Sequence, residues 1–226
     1  MSRFIERARE FDRRRAAHQL PPDMAPVITP WSPLWEETAA RVGARVLAAF
    51  EGRPATVDHI GSTSVPGLQA KEIIDLQVAV ADLADCDDVD LHLRDAGFVN
   101  VQAIAPDAPG VRRDNARGDG EPDADWEKRI YASADSGQRV IVHVRRSGAA
   151  NWRYALLFRD WLRASPGPRA EYAALKTKLA TVHGTDAHFD DYARAKDHWF
   201  DRAQAAMEKW AQSTGWTPAS IAEVDR

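Results

Sequence analysis

The sequence predicts an α+β fold: a mixed sheet with flanking helices and a C-terminal helical layer. Three observations carry this. Between residues 55 and 145, short segments alternate apolar and polar residues and are separated by Gly, Pro and Asp. That is the pattern of half-buried strands. Residues 31–50 instead repeat apolar side chains at three- and four-residue spacing, as a helix does. From residue 151 to about 211 the period is again helical.

Each element follows from local chemistry. Residues 1–18 are rich in charge and read as a helical arm, and Pro21, Pro22, Pro26 and Pro30 make 19–30 an extended linker. The main domain is expected over 31–212, with a tail at 213–226. Ser32 and Pro33 supply an N-cap and a first helical residue for a helix to about Phe50, which Gly52 ends. A strand is predicted over 55–60, a turn-rich segment over 61–70 and a second strand over 72–80. A helix over 83–96 stops at Gly97, and a strand follows over 98–105. Residues 106–125 are rich in Gly, Pro, Asp and Arg; a loop of that length predicts a lid or a disordered insert. Strands over 126–132 and 138–145 form a hairpin around Asp135-Ser136-Gly137. Helices follow over 151–163, 168–183 and 190–211. In the first of these, Tyr154, Leu157, Phe158, Trp161 and Leu162 form an apolar stripe, read as packing.

Composition narrows the function. The 226 residues carry 30 basic and 34 acidic side chains, a net charge of −4. General nucleic-acid binding, which needs a basic excess, is therefore not expected. No apolar run approaches the ~20 residues of a membrane span. Cys86 stands alone, so neither an intrachain disulfide nor a cysteine metal site can form. The first residues lack the apolar core of a signal peptide, and the expected location is the cytoplasm.

The informative stretch is His59 to Val80, HIGSTSVPGLQAKEIIDLQVAV. Alternation points Ile74, Leu76, Val78 and Val80 one way, and Asp75 and Gln77 the other. A carboxylate on so apolar a strand needs water, a cation or a metal beside it. In the later strand, His143 and Arg145 alternate with Val142 and Val144 in the same manner. If the two strands are neighbours, Asp75, Gln77, His143 and Arg145 share one face, with Gly61-Ser62 at its edge. Amides of a Gly-Ser turn suit phosphate oxygens. His59 and Thr63 flank that turn, and Lys71, Arg129 and Arg145 could offset phosphate charge. Lys128 is a further cation beside Arg129, and Glu127 is a candidate for a further carboxylate. The alternatives are structural: a tight turn at Gly61-Ser62, an ion pair of Asp75 with Lys71, Arg129 or Arg145, and a backbone-bonded His143.

The Gly-Ser turn followed by Asp-hydrophobic-X on the next strand resembles the nucleotidyltransferase fold of the DNA polymerase β type. Within it, the His59 to Val80 string, VHVR at Val142 to Arg145, NWRYALLFRDWLR at Asn151 to Arg163, YAALKTKLA at Tyr172 to Ala180 and the YARAK-DHWF segment are similar to the GrpB family. The resemblance covers nearly all of residues 31–210. It implies a nucleotidyltransferase-like mixed sheet with Asp75 as the first catalytic acid. It also shows a departure, because Gln77 and His143 stand where active members of that superfamily carry the second and third acids.

The leading expectation is transfer of a nucleotidyl or phosphoryl group to a small molecule, with Mg²⁺ or another divalent metal as cofactor. Gly61 and Ser62 would hold the phosphates; Asp75, Gln77 and His143 would hold the metal; Asp75 and His143 would be catalytic. The alternative is a non-catalytic module that binds a nucleotide or a CoA precursor, which Gln77 favours. A third reading is a hydrolytic metal site built from His59, Asp75 and His143. The partner expected in each case is a small-molecule or nucleotide ligand.

Overall fold

Apolar alternation sets the central strands, and everything else is placed by what covers them. The computed structural model describes residues 27–86, 88–108, 110–117, 120–135, 137–182 and 195–218. The predicted arm at 1–18, the linker up to residue 26 and the start of the 190–211 helix lie outside the described residues. At the linker's end, Thr29 pairs with Ala70 through two backbone hydrogen bonds of 2.8 and 3.0 Å.

Five strands form one sheet: β1 (Ala55–Ile60), β2 (Ile74–Val80), β3 (Phe98–Asn100), β4 (Arg129–Ser133) and β5 (Val140–Arg146). Their spatial order is β1-β2-β5-β4-β3. The β2–β5 pair is parallel and the other three pairs are antiparallel. The predicted mixed sheet is thus present, with β2 and β5 at its centre. A central strand is covered on both faces, which is why β2 reads as nearly continuous apolar residues.

One face packs on α1 (Leu34–Ala48) and α2 (Val89–Asp95). Val42 and Val46 of α1 are fully buried against Leu76, Val78, Val142 and Val144. Each such side chain contributes about 1.5–3 kcal/mol by leaving water. The Ser32 hydroxyl accepts from the Leu34 N–H at 3.3 Å, so the helix starts one residue later than expected. The other face meets α4 (Ala150–Ala164), α5 (Pro166–Val182) and α6 (Asp197–Thr214). These form the expected helical layer with a second core of Val65, Leu68, Leu157, Trp161, Trp199 and Met207.

Three boundaries differ from expectation, each for a local reason. The 98–105 strand stops at Asn100, whose side chain accepts from the Gln102 N–H at 2.9 Å and starts the one-turn helix α3 (Val101–Ile104). In place of the 83–96 helix stand a 3₁₀ turn, Ala84–Cys86, whose Ala84 N–H donates to the Asp82 carboxylate at 2.9 Å, and α2. At the C-terminal end, α6 runs to Thr214 and closes on Gly215 at φ 65°. The Trp216 indole then donates to Asp160 at 3.1 Å, so the chain through Trp216 is tied to α4.

Candidate functional site

Register decides which side chains meet. Gln77 pairs with Asp58 on one side and with His143 on the other, while Asp75 pairs with Ile60 and Ile141. Asp75, Gln77, His143 and Arg145 therefore share the face that meets the helical layer. A cavity of about 440 Å³ opens there, within the range of small-molecule sites. Gly61, Ser62, Asp75, His143 and Arg145 lie on its wall together with aromatic side chains from α4, α5 and α6.

The Gly61-Ser62 turn is fastened from α4. The Arg163 guanidinium donates to the Ser64 carbonyl at 2.7 and 3.0 Å. Arg159 donates to the His59 carbonyl at 3.2 Å and to Asp58 at 3.3 Å. Gly61 has φ 71° and ψ −169°, a backbone region reserved for glycine. A Cβ there would overlap the Asp75 carboxylate. The turn and the acid thus form one unit.

Next to Asp75 stands His143, with Nε2 at 3.6 Å from Oδ1. Burial lowers the His143 pKa despite Asp75, leaving a neutral ring near pH 7. Its Nδ1 is buried and has no hydrogen-bond partner among the described residues.

Behind this pair lies a charge cluster that involves the 106–125 loop. Asp114 accepts from Lys128 at 2.6 Å and from Arg145 at 3.0 Å. Asn151 adds a donor at 3.3 Å. Burial pushes the Asp114 carboxyl up, but Arg145 and Lys128 outweigh it and hold it well below the usual carboxylate range. Arg117 of the same loop pairs with Asp197 at 2.6 Å and Asp201 at 2.7 Å on α6, lying over the Phe200 ring. The described part of this loop therefore lines the cavity and is paired to α6 through Arg117.

Several expected site residues sit elsewhere. His59 pairs with Leu76, which puts it on the α1 face, and its Nε2 meets the Thr63 hydroxyl at 2.9 Å. Burial pushes its pKa down to about 4. A hydrolytic site of His59, Asp75 and His143 does not converge. Thr63 is buried and donates to the Ile73 carbonyl at 3.2 Å, an anchor for the turn. Arg129 pairs with Val144, on the face opposite Asp75, and it is Lys128 that reaches the cluster. Glu127 is exposed; the buried extra carboxylate is Asp114.

The donor set does not fit a pair of Mg²⁺ ions. Gln77 is fully buried, its Oε1 accepts from Arg145 at 2.6 Å, and its amide donates to the Trp152 carbonyl at 3.3 Å. The oxygen that would ligate a metal is engaged. Asp114 accepts from Lys128 and Arg145, and Asp197 pairs with Arg117, so two of the three described carboxylates on the wall are already held by cations. Mg²⁺ takes hard oxygen ligands in octahedral geometry. Among the described residues no group of three His, Cys, Asp or Glu side chains is placed to hold a metal.

Two lysines missed in the sequence also stand here. Lys196 is on the cavity wall, and Lys176 of α5 faces the Tyr172 ring at 4.8 Å. Burial first, and then neighbouring Lys196, pushes the Lys71 pKa down to about 6 and that of Lys176 to about 7. A lysine so lowered binds fewer protons folded than unfolded. Its stabilising effect is full above the unfolded value of 10.5 and is lost as pH falls through 7 and 6. Stability is thus expected to rise from neutral to alkaline pH, by up to ~1.4 kcal/mol per pH unit for each lysine. Urea unfolding at several pH values checks this, and Lys176→Met should flatten the slope by up to one proton.

Comparison with known proteins gives a consistent result. A family model described as GrpB protein matches residues 25–206. A dephospho-CoA kinase of Mycolicibacterium paratuberculosis is 40% identical over 202 residues, covering 86% of this chain and 49% of that protein. This chain spans about half the length of such relatives. A UPF0157 protein of Streptomyces coelicolor is 38% identical, covering 72% of this chain and 73% of the relative. The crystal structure of the conserved protein GrpB from Enterococcus faecalis superposes with a TM-score of 0.65 at 24% identity, covering 81% of this chain and 99% of that one. That likeness concerns the fold. Among the described residues, no helix is long and apolar enough to cross a membrane.

Proposed function

The chain belongs to the GrpB family, and on that premise we propose that it binds a nucleotide or a related phosphorylated small molecule in the cavity between sheet and helical layer. The observation that carries this reading is the placement of Asp75 and His143 at the Gly61-Ser62 rim of a cavity backed by buried cations. The wall itself carries Arg117, Arg145 and Lys196 against Asp75, Asp114 and Asp197. Buried Lys128, paired with Asp114 at 2.6 Å, adds a further cation behind the wall. Fixed cations offset phosphate charge without a metal, and Tyr154, Phe158 and Phe200 give the wall an aromatic side for the rest of the ligand. The protein is in this reading a nucleotidyltransferase-like fold turned to binding.

Relatives named dephospho-CoA kinase make ATP and dephospho-CoA the first ligands to try. A thermal-shift panel of nucleotides and CoA precursors, each with EDTA or Mg²⁺, tests the reading. A ligand at a hundredfold excess over its Kd stabilises by about 2.7 kcal/mol. The expected result is a raised Tm that survives EDTA; no shift from any nucleotide or CoA precursor would contradict it.

A second reading, nucleotidyl or phosphoryl transfer to a small-molecule acceptor, is favoured by the Asp75–His143 pair. A neutral imidazole is the form that accepts a proton from an acceptor hydroxyl. Asp75→Asn separates the two: it abolishes turnover under the second and changes ligand affinity only modestly under the first.

A further inference from the structure

Asp114 belongs to a loop, but the donors that hold it belong to the framework. Arg145 comes from β5, Lys128 from the residue before β4, and Asn151 from the first turn of α4. Two of these donors are aimed by partners of their own. The Arg145 Nη1 donates to the Gln77 Oε1 at 2.6 Å, and the Asn151 amide donates to the Glu127 carbonyl at 2.9 Å. Their positions therefore do not depend on the carboxylate they meet.

That carboxylate fits the donors poorly. Arg145 Nε at 3.0 Å, Arg145 Nη2 at 2.9 Å and Asn151 Nδ2 at 3.3 Å all meet Asp114 Oδ2, while Lys128 Nζ meets Oδ1 at 2.6 Å. A carboxylate oxygen offers about two acceptor positions, fewer than the three nitrogens gathered on Oδ2. A terminal phosphate spreads its acceptors over three oxygens, and the Nε–Nη2 edge of a guanidinium matches two of them. It also carries about two negative charges, one for each of Lys128 and Arg145. Asp114, Arg145 and Asn151 lie on the cavity wall, and the Asp114 side chain keeps 23% exposure against 5% for Lys128. The backbone of Asp114 is fastened, since its N–H donates to the Trp126 carbonyl at 2.8 Å. Only the side chain has to turn for a second anion to enter from the cavity.

We propose that Lys128, Arg145 and Asn151 form a phosphate subsite on the sheet side of the cavity, and that Asp114 occupies it as an internal anion which the phosphate of a ligand displaces. The subsite rests on the ligand-binding reading above and specifies where the phosphate goes. Asp114 sets affinity by competition, so the chain holds its ligand less tightly than these donors alone would.

The test is calorimetric titration of the full chain, in EDTA, with orthophosphate and with ATP. Wild type is compared with Asp114→Asn and with the double variant Asp114→Asn/Lys128→Met. Asp114→Asn keeps the shape and removes the charge, and is expected to bind orthophosphate at least about tenfold more tightly than wild type. Lys128→Met in that background should abolish the gain. Thermal unfolding should show the Tm of Asp114→Asn rising more with orthophosphate than that of wild type. No gain in orthophosphate affinity, or an Asp114→Asn chain that stays unfolded in orthophosphate, would overturn the subsite and make Asp114 a structural ion-pair partner. A gain that persists in the double variant would also overturn it, as an effect of net charge alone. ATP binding by wild type in either case would leave the nucleotide reading intact. An orthophosphate gain that depends on Lys128, with ATP bound by neither wild type nor Asp114→Asn, would keep the subsite and overturn the nucleotide reading.

Discussion

Asp114→Ala is expected to destabilise the protein by about 3 kcal/mol, the lower end of what removing one partner of a buried ion pair costs. The loss arises from what is left behind. Lys128 and Arg145 have side chains only 5% and 7% exposed, and both depend on this carboxylate. Without it, two buried cations face each other and Asn151 loses an acceptor. Asp114 itself is 23% exposed, so water can enter and the cost stays at the lower end. The midpoint of urea unfolding measures the effect. Orthophosphate should partly restore stability, because an anion can take the place of the carboxylate between the cations. A loss under about 1 kcal/mol would show that the cluster is solvated rather than buried.

Gly61→Ala is expected to damage the site and the fold together. Its backbone conformation costs a residue with a side chain ~1–3 kcal/mol. The added methyl would also displace the Asp75 carboxylate, since the space it needs is where that carboxylate lies. Thermal unfolding should show a lowered Tm, and ligand affinity should fall with it. A variant as stable as wild type would mean that the turn can shift, and that Asp75 is not held by it.

Much of the site was legible, and the exceptions have physical reasons. Alternation along β2 and β5 was enough to put Asp75, Gln77, His143 and Arg145 on one face, because a two-residue period leaves no freedom once the strands pair in parallel. The same logic applied to β1 would have placed His59 with Val57 on the α1 face. Arg129 and Lys128 differ by one residue, and a one-residue shift turns a side chain to the opposite face. The sequence offered both as cations and fixed a face for neither, because the register of β4 on β5 is set by pairing that the sequence does not show. Asp114 carried no signal, since it lies in an irregular loop where neither period applies. Lys176 did carry one: Tyr172, Lys176 and Leu179 occur at i, i+4 and i+7, a buried stripe with a charge in the middle of it. The fate of Gln77 needed coordinates, because an amide can serve a metal or a guanidinium equally well by sequence.

The central claim is that fixed side-chain cations, rather than metal ions, hold a phosphorylated ligand in this cavity. Calorimetric titration of ATP into the full chain, once in EDTA and once in excess Mg²⁺, tests it most directly. A measurable Kd is expected in EDTA, changing by no more than about threefold with Mg²⁺. Binding that appears only with Mg²⁺ would contradict it, and would return Asp75 and His143 to the role of metal ligands.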